Sequence, residues 1–288
     1  MNDLFDAVAL GPLRLRNRFI KSATFEGMCP SGLPSEALTE HHRAIAEGGV
    51  GMTTVAYCSV SEDGRSYASQ MWMREEIVGP LRRLTAAVHE HGALASLQLG
   101  HCGGFADSSV IGSRPIAPSV RFNTYGLSFS RAMSEDDIAR VIEDFARSAR
   151  LAVQAGFDAL ELHLGHGYLL SQFLSPHTNR RRDRWGGSVQ ARLRLPLAVA
   201  EAVRTAVGSD VAVLAKVNLS DGFAGGLQVE GAVEVARALE GAGVDALVLS
   251  GGFVSRTPMY MLRGEVPLRD MVAVQDRWFR KLGLLLFG

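Results

Sequence analysis

Two stretches of this chain are nearly the same sentence. Ala155-Gly156-Phe157-Asp158-Ala159-Leu160 and Ala242-Gly243-Val244-Asp245-Ala246-Leu247 lie 87 residues apart, and Glu47-Gly48-Gly49-Val50 is a looser version. Each reads as a joint: a glycine closes a helix, an apolar residue seals the turn, and a strand enters a sheet. A chain that repeats this joint is built from βα units, which leaves a doubly wound sheet or a (β/α)8 barrel. Short apolar runs supply the strands: Arg18–Thr24, Val50–Tyr57, Ala93–Leu99, Asp158–Leu164, Val211–Val217 and Asp245–Ser250. Such runs suit a parallel sheet covered on both faces. Amphipathic patterns between them predict helices over Ser35–Glu47, Arg74–Glu90, Ser134–Ala155, Val189–Val207 and Val229–Ala242. Ser134 followed by Glu135, Asp136 and Asp137 is a strong helix start, with a capping hydroxyl and acids in the first turn.

The barrel is favoured over the doubly wound sheet. No GxGxxG follows the first strand. Chemically loaded residues instead stand at the carboxyl ends of several strands: Thr24, Gln98 with His101, His163 with His166, and Lys216. A barrel builds its active site there. The pattern accounts for about six of eight strand–helix units, so the expectation is a single TIM-barrel domain over 1–288, incomplete at its C-terminus. It carries an N-terminal hairpin over 1–17 and a long insertion over 100–133 after the third strand, a loop of the kind that covers a site.

Composition removes several function classes. Thirty Lys and Arg against thirty Asp and Glu give no general pull toward nucleic acid or anionic lipid. The run Arg180-Arg181-Arg182-Asp183-Arg184 contains its own acid and reads as a solvated or substrate-adjacent loop. The start, Met1-Asn2-Asp3-Leu4-Phe5-Asp6, lacks a basic leader, and the greasiest run, Leu282–Phe287, is far too short to span a bilayer. Cys29, Cys58 and Cys102 have neither disulfide-framework nor CxxC spacing. The expectation is a cytoplasmic protein acting on a small molecule, with homo-oligomerisation left open and no nucleic-acid or membrane partner.

The densest chemistry is Glu161-Leu162-His163-Leu164-Gly165-His166-Gly167-Tyr168. Two imidazoles and a phenol leave one strand end, and glycines between them let the backbone bend. Imidazoles donate hydrogen bonds to a carbonyl or nitro oxygen, and a phenol can donate a proton. A core histidine and a packing tyrosine are the plain alternative. So is zinc on His163 and His166 with Glu161 or His101, although no carboxylate partner stands out. The Gln98 amide can read the edge of a heterocycle. Lys216, near the end of the fifth strand, is either a charge meeting an anion in the barrel mouth or a lysine reaching the surface.

These residues carry a resemblance to the Old Yellow Enzyme family of FMN-dependent NADH:flavin oxidoreductases and ene-reductases. The most specific block runs from Ala155-Gly156-Phe157-Asp158 through His163-Leu164-Gly165-His166-Gly167-Tyr168 to Ser171-Gln172-Phe173-Leu174-Ser175-Pro176. It continues through Asn179-Arg180-Arg181, Asp183-Arg184-Trp185-Gly186-Gly187-Ser188 and Arg192. Asn17-Arg18-Phe19, Gln98-Leu99-Gly100-His101, Ala117-Pro118-Ser119, Gly225-Gly226 and Ser250-Gly251-Gly252 support it.

The resemblance implies FMN as cofactor and NAD(P)H as reductant. The hydride would pass through flavin N5 to an activated alkene, an enone or a nitro compound. It implies that Thr24 lies against the flavin near O4/N5, that Ala23 also belongs to the cofactor site, that Gln98 reads the pyrimidine edge and that Lys216 stands at N1/O2. His163 and His166 would grip the substrate oxygen, and Tyr168 would be the proton donor. Departures are His101-Cys102-Gly103-Gly104 where an arginine is common, and Ser22-Ala23 in place of Pro-Met. The family's phosphate grip lies on strands seven and eight, for which the pattern finds no residues. The alternatives are a non-catalytic paralogue or fragment and a metal-assisted hydrolase on the same barrel.

Overall fold

A computed structural model describes residues 3–123, 128–257, 272 and 281. The Leu282–Phe287 run and the first two residues of the expected hairpin lie outside them. Six parallel strands form one sheet in chain order: β1 (Ile20–Lys21), β2 (Met52–Ser59), β3 (Leu94–Gly100), β4 (Ala159–Leu164), β5 (Ala212–Asn218) and β6 (Ala246–Ser250). Consecutive pairing without reversal is the order of a barrel wall, not of a doubly wound sheet. Helices α1 (Glu36–Glu47), α2 (Glu75–His89), α3 (Glu135–Gln154), α4 (Val189–Val207) and α5 (Val229–Gly241) connect the strands from α1 onward.

The repeated joints have a physical reason for each letter. The glycines after α1, α3 and α5 sit at φ +97°, +88° and +84° (Gly49, Gly156 and Gly243), where a side chain would be strained. The aspartate of the repeat ties neighbouring strands together at their entry. Asp158 accepts from Ala95 N at 2.8 Å, and Asp245 accepts from Val213 N at 2.8 Å and pairs with Arg204.

The sheet divides its two faces. Outward side chains such as Val55, Leu97, Leu160, Leu162, Val213 and Ala215 join the helices in the main core. Inward side chains change along the strands. At the amino ends Met52, Ala159, Ala212 and Leu214 pack with Leu15 into a small apolar plug. An antiparallel hairpin of Val8–Leu10 and Leu13–Leu15 closes this end. Toward the carboxyl ends the inward positions become Gln98, Glu161, His163 and Lys216. The ionisable inward side chains of these strands therefore gather at one end.

Two differences from the expected elements stand out. The first strand is ordered as strand only over Ile20–Lys21 instead of through Thr24, because residues 22–24 bend into the site without a ladder partner on β2. A short helix, Leu169–Leu174, follows β4 directly and is buried along its whole length. The insertion over 100–133 consists of short pieces, including pairs Ile116–Ala117 with Arg131–Ala132 and Phe122–Asn123 with Ser128–Phe129. Arg181 braces it, donating to Pro118 O and Met133 O while pairing with Asp183. The basic run is thus partly structural. Among the described residues no helix is long and apolar enough to cross a membrane.

Candidate active site

A cavity of about 950 Å3 opens at the carboxyl end of the sheet. Its size suits a cofactor with room for a substrate. Ala23, Thr24, Gln98, His163, His166, Tyr168 and Lys216 all line it. These seven residues, drawn from four separate segments of the sequence, converge on one space, while His101 stands outside the lining.

Register explains the placement. Glu161 on β4 stands opposite Gln98 on β3, and His163 stands opposite Lys216 on β5. Gln98 Nε2 donates to Glu161 Oε1 at 2.6 Å, and Lys216 Nζ approaches the same oxygen at 3.2 Å. Lys216 also donates to Ser22 Oγ and Ala23 O, each at 3.1 Å. It is only 4% exposed, which excludes the surface-lysine reading, and the anion it meets is the chain's own Glu161, at 1%. Lys216 thereby reaches across the barrel to fix the bend that carries Ala23 and Thr24.

The histidines are held differently. His163 is buried, and its Nδ1 has no hydrogen-bond partner. Burial first, then His166 and Lys216, hold its pKa well below the ordinary imidazole value. His166 adopts φ +61°, a left-handed conformation uncommon for a side-chain-bearing residue. Three contacts hold it there: its N–H donates to Asn218 Oδ1 at 3.0 Å, its carbonyl accepts from Val254 N at 3.0 Å, and its Nε2 lies 2.6 Å from Ser250 Oγ. Strain kept in place by surrounding structure is frequent at working sites. Burial and the Lys216 charge bring the His166 pKa down to about 4. Both imidazoles are therefore neutral near pH 7.

Tyr168 packs with its ring centroid 4.6 Å from His163, against Tyr57 at 5.4 Å and Phe105 at 6.0 Å. Burial pushes its pKa above the ordinary phenol value, so its proton stays on at neutral pH. Gly100 ends β3 because anything larger would collide: an added Cβ would lie 3.0 Å from the Tyr57 ring and 3.3 Å from His163 Cβ.

Sequence reasoning did not assign Glu161 to the Gln98–Lys216 pair, and it missed Tyr57, Asn218 and Ser250. Alternation along β4 puts Glu161 on the same face as His163, so that residue was findable. The others announce themselves only through tertiary packing. His163 and His166 join no metal-ligating group; among the described residues that geometry is met by Glu26, His41 and His42. Lys21 already pairs with that glutamate at 2.5 Å. The zinc reading of the barrel mouth has no support from the geometry.

The arrangement is a parallel barrel wall with an amide, a paired cation, two neutral imidazoles and a protonated phenol around one cavity. On comparison with known proteins, the profile of the NADH:flavin oxidoreductase / NADH oxidase family, whose members use FMN, matches residues 3–254, and the chain belongs to that family. The 4,4′-dithiodibutanoate disulfide reductase of Rhodococcus erythropolis is 48% identical over 275 residues, which cover 95% of this chain and 68% of that protein. A metal reductase of Desulforamulus reducens is 37% identical over 88% of this chain, which spans 38% of its length. The Old Yellow Enzyme homologue of Zymomonas mobilis superposes with a TM-score of 0.80 at 25% identity, covering 99% of this chain and 85% of that structure. The expected barrel fold and flavin-oxidoreductase class are both borne out.

The lining suits FMN on grounds internal to the structure. A buried His163 Nδ1 without a partner, a cavity of cofactor size, and an amide and an ammonium side by side match a ligand that is both flat and polar-edged.

Proposed function

We propose that the chain works as an NAD(P)H-dependent reductase of small electrophiles, with FMN held between the Ala23–Thr24 bend, Gln98 and Lys216. The observation that carries this reading is the convergence of Tyr168 and two neutral histidines, one with an unsatisfied buried nitrogen, beside the amide–cation pair. When bound, FMN would supply the hydride-transfer chemistry that links NAD(P)H to the electrophile. Every other duty falls to side chains.

His163 and His166, being neutral, each donate one N–H to the oxygen of an enone or nitro substrate, fixing and polarising it. Tyr168 holds a proton at Oη for the carbon next to the activating group. Tyr57 and Phe105 hold the phenol in place and exclude water from that face. Lys216 would supply positive charge to the bound cofactor, and Glu161 keeps that charge affordable inside the barrel by pairing with it. The balance is one NAD(P)H and one proton consumed per reduced double bond.

An organic disulfide is a second electrophile class, supported by the name of the relative that is 48% identical. There two thiols form from one disulfide, one NAD(P)H and one proton. Three buried free cysteines fit a reducing, cytoplasmic setting. The test is anaerobic stopped-flow on the FMN-loaded protein. The reading expects flavin bleaching by NADH or NADPH, followed by recovery of colour with 2-cyclohexenone or 4,4′-dithiodibutanoate. A flavin that NAD(P)H bleaches but neither electrophile reoxidises faster than buffer contradicts it.

A further inference from the structure

Beside the cavity just described lies another, of about 420 Å3, roofed by the insertion. The two share a wall. His166 and Tyr168 face the first cavity and Gly167 faces the second; Val254 faces the first and Phe253 the second. A bridge between His166 and Phe253 forms this wall, and Gly167 at φ +80° lets the Phe253 ring press against it.

Charge sets the second cavity apart. Arg121, His177 and Arg256 line it, and among the described residues no carboxylate does. Arg121 Nη2 lies 2.7 Å from His177 Nε2, and Arg256 Nη1 lies 3.1 Å from the same nitrogen. Arg121 and Arg180 both donate to the His177 carbonyl. Arg256 also covers the Phe223 ring at 4.5 Å. A neutral imidazole offers one lone pair, so two guanidiniums compete for one acceptor and most of their N–H groups stay unmatched. Among the described residues none of the three arginines has an acidic partner, although their neighbours Arg181 and Arg184 do. The crowding is felt locally: burial, then Arg121, Arg256 and Arg180, bring the His177 pKa down to about 4.

We propose that Arg121 and Arg256, with Arg180 beside them, seat the oxyanion arm of a ligand whose reactive end lies in the adjoining cavity. Planar guanidiniums in surplus are suited to carboxylate or phosphate, which each can grip through two N–H groups. The arm belongs either to a carboxylate-bearing electrophile or to the phosphates of the nicotinamide coenzyme. His177 Nε2 occupies the acceptor position that the oxyanion takes on binding. This inference rests on the reductase reading, which supplies the reactive end.

The kinetic test uses FMN-loaded protein, Arg121→Gln and Arg256→Gln variants, 4,4′-dithiodibutanoate and its uncharged dimethyl ester. Each variant should raise the KM for the dianion about tenfold or more, the effect of a lost charge-assisted hydrogen bond. The KM for the ester and kcat should stay unchanged. A KM increase confined to NADH or NADPH would support the same oxyanion site with the coenzyme as its source. Unchanged KM values for dianion and coenzyme in both variants overturn the proposal.

A binding arm needs no turnover and so separates this inference from the reductase reading. In unreduced protein, 4,4′-dithiodibutanoate or NADP+ should raise the NMR titration midpoint of His177, assigned with His177→Asn, while the dimethyl ester leaves it in place. A midpoint that neither anion moves, or that the ester moves equally, overturns the site even if the enzyme proves active. Movement by an anion in a protein that reduces nothing upholds the site and rejects the reductase reading.

Discussion

Replacing Lys216 with methionine isolates the electrostatic join at the centre of the barrel mouth. The substitution keeps side-chain length but removes the ammonium that Glu161, Ser22 and Ala23 share. It leaves a carboxylate at 1% exposure with the Gln98 amide as its remaining close donor among the described residues. Stranding one partner of a buried pair costs about 3–5 kcal/mol. In a protein of this size that lowers Tm by roughly 6–15 °C. Adding Glu161→Gln removes the stranded charge while keeping an acceptor for Gln98. The double variant should therefore be more stable than Lys216→Met alone by more than about 1 kcal/mol. Urea denaturation of the four proteins, followed by far-ultraviolet circular dichroism, measures the cycle. A loss below about 1 kcal/mol in the single variant, or a double variant whose loss equals the sum of two single losses, would refute the account of Lys216 as a charge held by Glu161.

Further outcomes follow from the same geometry. Tyr168→Phe should slow enone reduction about 10²–10⁴-fold, the usual weight of a general acid, while flavin bleaching by NAD(P)H stays within about twofold; equal losses in the two half-reactions would reject the proton-donor role. His166, with its pKa brought down to about 4 by burial and Lys216, should make the fold less stable in mild acid. Its depressed pKa means the unfolded chain binds more protons between about pH 6.5 and 4, so stability is fully present above that window and falls as pH drops through it. The contribution lost by pH 5 is about 2 kcal/mol, and denaturation of His166→Gln at pH 7 and pH 5 should show a correspondingly smaller drop than the unaltered protein. Gly167→Ala places a Cβ 2.5 Å from the Phe253 ring at φ +80°, and should cost about 1–3 kcal/mol by the same assay; a neutral result would mean the wall between the cavities yields easily.

Much of this protein was legible before its structure because its constraints are local. The helix-to-strand joints need glycine at positive φ, and Gly49, Gly156 and Gly243 provide it in the expected places. Five helices and five of the six strands lie within two residues of their predicted bounds. The first strand is the exception. Arg18–Thr24 is apolar enough to read as strand, but the ladder stops at Lys21 because Ser22 and Ala23 turn to meet Lys216 from the far side of the barrel.

That long-range contact has no trace in the local pattern. The same holds for the pairing of Glu161 with Gln98 and Lys216, which come from the two neighbouring strands, and for the Arg121–His177–Arg256 group, which joins segments 56 and 79 residues apart. The site side chains were identifiable because imidazoles, a phenol and an amide at strand ends are chemically conspicuous. What holds them in position was not, because orientation is set by register and by neighbours distant in the chain.

The account stands on one claim, that this chain holds FMN against Gln98 and Lys216 in the barrel mouth. The most direct measurement is a titration of the purified, folded protein with FMN, followed by visible absorbance and repeated with Lys216→Met/Glu161→Gln. The account predicts a perturbed flavin band that saturates at one FMN per chain, with weaker binding in the double variant. A folded protein whose addition leaves the free-flavin spectrum unchanged, or one that binds equally well without the Lys216 charge, would contradict it.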